Sequence, residues 1–275
     1  MQGSIVQVLS LAIHGNAALR GWTNASFFSD NSSCKFCKSI SFILLEPDPK
    51  QPSEVNFSNN PDEWFARQAA RGAAGYRVSW EPRHPGPKAS DRMLVGLVGG
   101  GGHWRLETLF ADSFESWEPC WRVGDQKDRV RQIWLVTYTR VVWNRPVPAL
   151  RRAILEAHVQ DVQKVLTQAS AFARRHQLIS FAECFERGLA CLSSGDPLAE
   201  VFHKDIAPAG VLPLVAERLL AAAQAAWVFG GMGSWNDVVF QGAEHEEYEH
   251  LSERLYHCLN QAAIDAANAS LEGHL

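Results

Sequence analysis

At 275 residues, 46% hydrophobic and 20% charged, with 10 Trp and 14 Phe, the chain can fill one large domain or two of medium size and is too rich in core-forming side chains to be disordered. Its net charge of −4 divides unevenly: residues 1–145 hold 17 Lys+Arg against 14 Asp+Glu, a net of +3, and residues 146–275 hold 9 against 16, a net of −7. Neither part carries the clustered cations that phosphate contacts need, which argues against nucleic acid as a partner.

No apolar run approaches the ~20 residues of a membrane helix. The first cation is Arg20, so the start lacks the basic segment of a signal peptide. Six scattered cysteines make no disulfide scaffold. The expectation is a cytoplasmic protein with no membrane contact.

Along the chain, residues 39–45 are a short apolar run that predicts a strand, stopped by the turn-forming Glu46, Pro47, Asp48 and Pro49. Asn60, Pro61, Asp62 and Glu63 then mark a helix start: Asn60 caps free amides, proline is tolerated at the first helical position, and the acids suit the positive helix end. That helix carries Trp64 and Phe65 and ends near Gly72. Residues 76–80 return to strand character, and the prolines of 82–90 make a loop. Four further strands are predicted at 92–98, 103–110, 117–123 and 130–142. Their short connections imply an antiparallel meander, since parallel pairs need long crossovers.

Past Asn144, Arg145, Pro146, Val147 and Pro148 the composition turns to alanine and leucine. Apolar stripes at helical spacing predict helices at 155–175, 180–192, 213–229 and from about 243 onward. The reading is an α+β protein: an N-terminal antiparallel sheet with a helix over residues 1–145, then a helical region of about four helices over 146–275, docked on the first part.

The segment 229–237 interrupts this helical half. Gly230, Gly231 and Gly233 exclude a stable helix, yet Phe229, Met232 and Trp235 are side chains a loose linker has no use for. This predicts a packed, shaped loop, the kind of element on which function tends to sit. Other candidates have plain alternatives. Cys34 and Cys37 match C-x-x-C, but no second ligand pair makes a zinc site, and they precede a strand rather than a helix. Gly99, Gly100, Gly101 and Gly102 lack the lysine of a phosphate loop, so a hairpin connection is favoured.

Glu247 and His250, with His257, resemble the Glu-x-x-His of di-metal bundles, but Tyr248, Leu251, Leu255 and Leu259 take the core face and set Glu246, His250, Glu253 and His257 on the polar side. Trp104, Trp117, Trp121 and Trp134 fall on adjacent predicted strands. Core packing is favoured for them, with an exposed ligand platform as the alternative. His14, Asn16 and Arg20 pair a possible base with a cation, and Trp235, Asn236 and Asp237 close the glycine loop; a structural turn is the plain reading of both.

Residues 14–21 (His-Gly-Asn-Ala-Ala-Leu-Arg-Gly), the Gly99–Gly102 run, residues 133–138 and above all 229–237 (Phe-Gly-Gly-Met-Gly-Ser-Trp-Asn-Asp) resemble a set of uncharacterised bacterial proteins. The resemblance implies a bacterial, cytoplasmic protein and supplies no catalytic residue.

Two functions are expected from these features. The first is an interaction or regulatory protein, of the immunity-partner kind, whose acidic helical surface (Glu246, Glu249, Glu253) receives a basic protein. The alternative is a small-ligand-binding protein or enzyme with a pocket where the 229–237 loop meets the segment around His14. Its expected ligand-binding residues are His14, Asn16, Arg20, Trp235, Asn236 and Asp237. Neither a metal set nor a cofactor fingerprint is present in the sequence.

Overall fold

The computed structural model describes residues 1–22, 26–46, 53–83, 89–147 and 154–271. It opens on helix α1 (Gly3–Leu19), where the sequence pattern suggests only a turn around His14. Residues Ile5 to Ile13 are all buried, the polar Gln7 and Ser10 included. A helix apolar all round has no stripe of period 3.6, and so belongs inside the protein rather than on its surface.

The sheet has six strands in the order β2-β1-β6-β5-β4-β3. Strands β3 (Gly75–Glu81), β4 (His103–Leu109), β5 (Ser113–Val123) and β6 (Trp134–Pro146) form the expected antiparallel meander. Strand β1 (Cys37–Glu46) pairs with β6 in parallel, and β2 (Ser53–Ser58) lies antiparallel on β1. The sheet is therefore mixed, not antiparallel throughout. The long crossover a parallel pair needs is supplied by helix α2 (Pro61–Ala70) and the first three meander strands.

Asn60 Oδ1 accepts the Glu63 amide at the head of α2, as its sequence predicts. Residues 92–98, expected as a strand, are instead the short helix α3 (Asp91–Leu94) and a following turn. Only Arg92 and Val95 of that run are buried, so it has no apolar face for a sheet to use. The predicted turn at Pro47–Pro49, most of the 82–90 loop and Pro148 lie outside the described residues.

One face of the sheet carries Phe42, Trp117 and Tyr138, which pack with Trp64 of α2. Phe42 stacks on Trp64 with ring centres 4.6 Å apart and on Tyr138 at 4.9 Å, a geometry that adds to area burial. Helix α1 crosses the same face closely enough that a Cβ on Gly15 would meet the Tyr76 ring at 2.5 Å.

The C-terminal helices α4 (Leu155–Arg175), α5 (Ile179–Cys191), α6 (Leu214–Ala225) and α7 (Gly242–Asn268) pack on one another, and α7 also packs on α1 and β3. Two side-chain amides complete the outer side of β3. Asn16 bonds both the N–H and the C=O of Tyr76 at 2.7 Å, and Asn268 does the same for Val78 at 2.7 and 2.9 Å.

Candidate functional site: a tryptophan-walled cleft

Strand register puts Trp104, Trp117, Trp121 and Trp134 on one face of the sheet, since Trp117 lies opposite Leu106 and Trp121 opposite Val136, each two residues from Trp104 and Trp134. Trp117 is core. Trp104, Trp121 and Trp134 continue the face into a cleft of about 360 Å³, bounded by the start of α1, by Ser32–Cys37 and Phe202–His203, and by the turn at 95–102. Trp104 and Trp117 are buried, as core packing predicts, and Trp121 and Trp134 are half-buried in the cleft wall.

The walls are shaped by backbone. In the 95–102 turn, Gly99, Gly101 and Gly102 have positive φ of 74°, 88° and 89°, which L side chains rarely adopt. The Gly101 carbonyl accepts from Trp80 Nε1 at 2.9 Å and from Tyr256 Oη at 3.0 Å. A Cβ on Gly96 would strike the Gly230 backbone at 2.4 Å, so the glycine loop at 229–237 buttresses this turn from behind. At the cleft rim Leu97, Val98 and Phe202 are exposed by 64%, 59% and 69%, an apolar margin unusual for a surface with no further role.

Polar groups reach the cleft from two places, the start of α1 and the inner wall at Ser32 and His203. The amides of Gly3 and Ser4 head α1 with no acceptor among the described residues, because Gln2 turns its side chain to the Phe229 carbonyl. The indole N–H groups of Trp104 and Trp121, like those of Trp64, Trp117 and Trp227, have no acceptor among the described residues and no exposed surface, so they do not open into the cleft. Ser32, His203 and Asp205 meet at the inner wall, the residue types of a nucleophile triad, but their connectivity differs from one. Ser32 Oγ donates to Asp205 Oδ1, the Ser32 amide donates to Asp205 Oδ2 at 2.6 Å, and His203 Nδ1 stands 2.8 Å from Ser32 Oγ. The carboxylate holds the serine rather than the imidazole, so the set caps the turn at 32–34 and leaves the hydroxyl committed.

The thiols are equally quiet. Burial pushes Cys34 up to about 12 and Cys37 up to about 11, and a thiol so raised is a poor nucleophile. Among the described residues no three His, Cys, Asp or Glu side chains gather as a metal site.

Burial holds His203 down to about 4, well below its ordinary 6.5. The unfolded chain therefore binds a proton there that the folded chain refuses between those values. Stability should be flat above pH 6.5 and fall as pH drops toward 4. Urea unfolding at pH 7 and 5 should give a loss about 2 kcal/mol smaller in His203→Asn than in the parent chain. An equal loss in both would remove His203 as the cause.

The residues singled out in the sequence fall into two groups that do not meet. His14 Nε2 donates to the Asp205 carbonyl at 3.0 Å, Asn16 bonds Tyr76 and Ser270, and Arg20 donates to the Ser270 carbonyl at 2.7 Å. Trp235 is wholly buried, Asn236 Oδ1 accepts from Arg92 at 2.8 Å, and Asp237 accepts the Ser234 amide at 3.2 Å within its own loop. The glycine loop touches the other end of α1, at Gln2, about 18 Å along the helix from His14 at 1.5 Å per residue. The expected pocket between them is replaced by the tryptophan cleft, whose helix terminus and 202–203 wall no local motif announces. No protein-family model, curated protein or solved structure matches the chain.

Proposed function

We propose that this protein binds a small molecule in the tryptophan-walled cleft. The observation that carries the reading is the cleft itself, where the half-buried rings of Trp121 and Trp134 lie beneath an exposed apolar rim. A planar apolar ligand would stack on these rings and bury the rim. The cavity lies at the small end of ligand pockets, which suits one or two fused rings rather than a dinucleotide.

The partner reading rests on Glu246, Glu249 and Glu253. Glu249 and Glu253 are drawn onto buried Arg92 at 2.7 and 3.0 Å, so two of the three carboxylates already have an internal cation. The cleft reading stands ahead of it for that reason. A thermal-shift screen of planar small molecules should find members that raise Tm, and Trp121→Leu should weaken each about tenfold. Hits that bind Trp121→Leu as tightly as the parent chain would place them elsewhere and defeat the proposal.

A further inference from the structure

Resting on the cleft reading, we infer that the cleft takes a neutral planar molecule bearing an N–H or O–H donor, which His203 Nε2 accepts. A chain of hydrogen bonds fixes which nitrogen of this imidazole is bare. Ser32 has one hydroxyl proton, and it goes to Asp205 Oδ1. His203 Nδ1 stands 2.8 Å from the same hydroxyl oxygen, so it is the protonated nitrogen and donates to it. Burial keeps the ring neutral at pH 7, and a neutral imidazole carries one N–H, which leaves a lone pair on Nε2.

The other polar atoms of His203 are occupied. Its amide donates to Gln224 Oε1 at 3.3 Å and its carbonyl accepts the Ile206 amide at 3.3 Å. Nε2 has no partner among the described residues, and it is the one polar atom that His203 has left to offer the cleft it lines. The chain behind it is firmly held. Asp205 Oδ2 accepts the Ser32 amide at 2.6 Å, and the Asp205 carbonyl accepts from Asn31 Nδ2 at 2.8 Å and His14 Nε2 at 3.0 Å. The acceptor is therefore set in place before any ligand arrives.

The surrounding charges select a neutral donor. Glu118 of the lining is matched by His103 at 2.8 Å and Arg105 at 3.4 Å, so it does not call for a cation. Arg83 of the lining repels one, and the burial that refuses a proton to His203 disfavours any positive charge set against it. An oxyanion offers only lone pairs and would oppose that of Nε2.

Indole and benzofuran are the probes, two fused ring systems of nearly one shape that differ by an N–H donor against a ring oxygen. Isothermal titration calorimetry at pH 7 should show indole binding about tenfold more tightly. His203→Leu should bring the two within about twofold, chiefly by weakening indole. In the parent chain, the ¹⁵N resonance of His203 Nε2 should lie in the unprotonated range and move with indole but not with benzofuran, a readout that needs no variant to fold. His203 also lines a second cavity of about 380 Å³, which Trp121 does not, so Trp121→Leu tells the two places apart. Equal affinity for both probes, weakened together by Trp121→Leu, would overturn the donor inference and leave the cleft reading standing. Indole binding that His203→Leu lowers and Trp121→Leu does not would seat the ligand in the second cavity and overturn the placement. Binding of neither probe at millimolar concentration would overturn the donor inference, while the wider thermal-shift screen still judges the cleft.

Discussion

Trp235→Ala is expected to lower stability by about 4 kcal/mol, or roughly 10 °C in Tm, the range for emptying a large aromatic site in a chain of this size. Trp235 is fully enclosed, with Phe181, Phe185 and Tyr248 ring centres 5.2, 5.3 and 5.4 Å from its own. Its indole donates to Ser252 Oγ at 2.7 Å and its carbonyl accepts from Tyr248 Oη, so alanine opens a void and strands a buried hydroxyl. Met232, three residues earlier in the same glycine-rich segment, is completely exposed. Met232→Ala should leave Tm unchanged. Differential scanning calorimetry of the two variants decides the matter, and a small effect of Trp235→Ala would mean that the segment is not pinned by this side chain.

The second large effect concerns Arg92, a guanidinium with only 1% of its surface exposed. Four groups hold it: Glu249, Glu253, the Asn236 amide oxygen, and the Tyr248 ring beneath it at 5.8 Å. Replacing both carboxylates by glutamine leaves a buried cation without a counter-charge, at a cost of about 3 kcal/mol. The carboxylates themselves are partly solvated, which sets this at the lower end of such losses. Arg92→Met removes the charge with its need for partners and should cost less, about 1–2 kcal/mol. Denaturant melts giving the reverse order would show that the pairing itself, not the avoidance of an orphaned charge, dominates.

Both effects fall on elements whose packing the sequence partly announces. Three glycines beside large apolar side chains mark 229–237 as shaped, and Phe229 and Trp235 are indeed buried. The stripe Tyr248, Leu251, Leu255 and Leu259 places α7 and its polar side correctly. Period-2 runs find β3, β4 and most of β5. Helix α1 escapes notice because burial on every side erases the contrast that periodicity reads, whereas β2, almost wholly exposed, lacks an apolar face for the opposite reason.

The parallel β1–β6 pair joins segments about ninety residues apart, and nothing local in either strand encodes a partner so distant. The cleft is hidden for the same reason. Its tryptophans are visible as a possible face, but the helix start and His203 reach it only through the tertiary fold. His14 draws attention as a lone histidine among small residues, and the structure gives it a bond that ties 203–206 to α1.

The asparagine pair along β3 has a consequence for self-association. Asn16 and Asn268 occupy backbone sites that an incoming strand of another molecule would have to use, so that flank is sealed. Among the described residues the opposite edge strand is β2. Ribbon-like growth, which would draw on both flanks of every copy, would first have to displace both asparagines from β3.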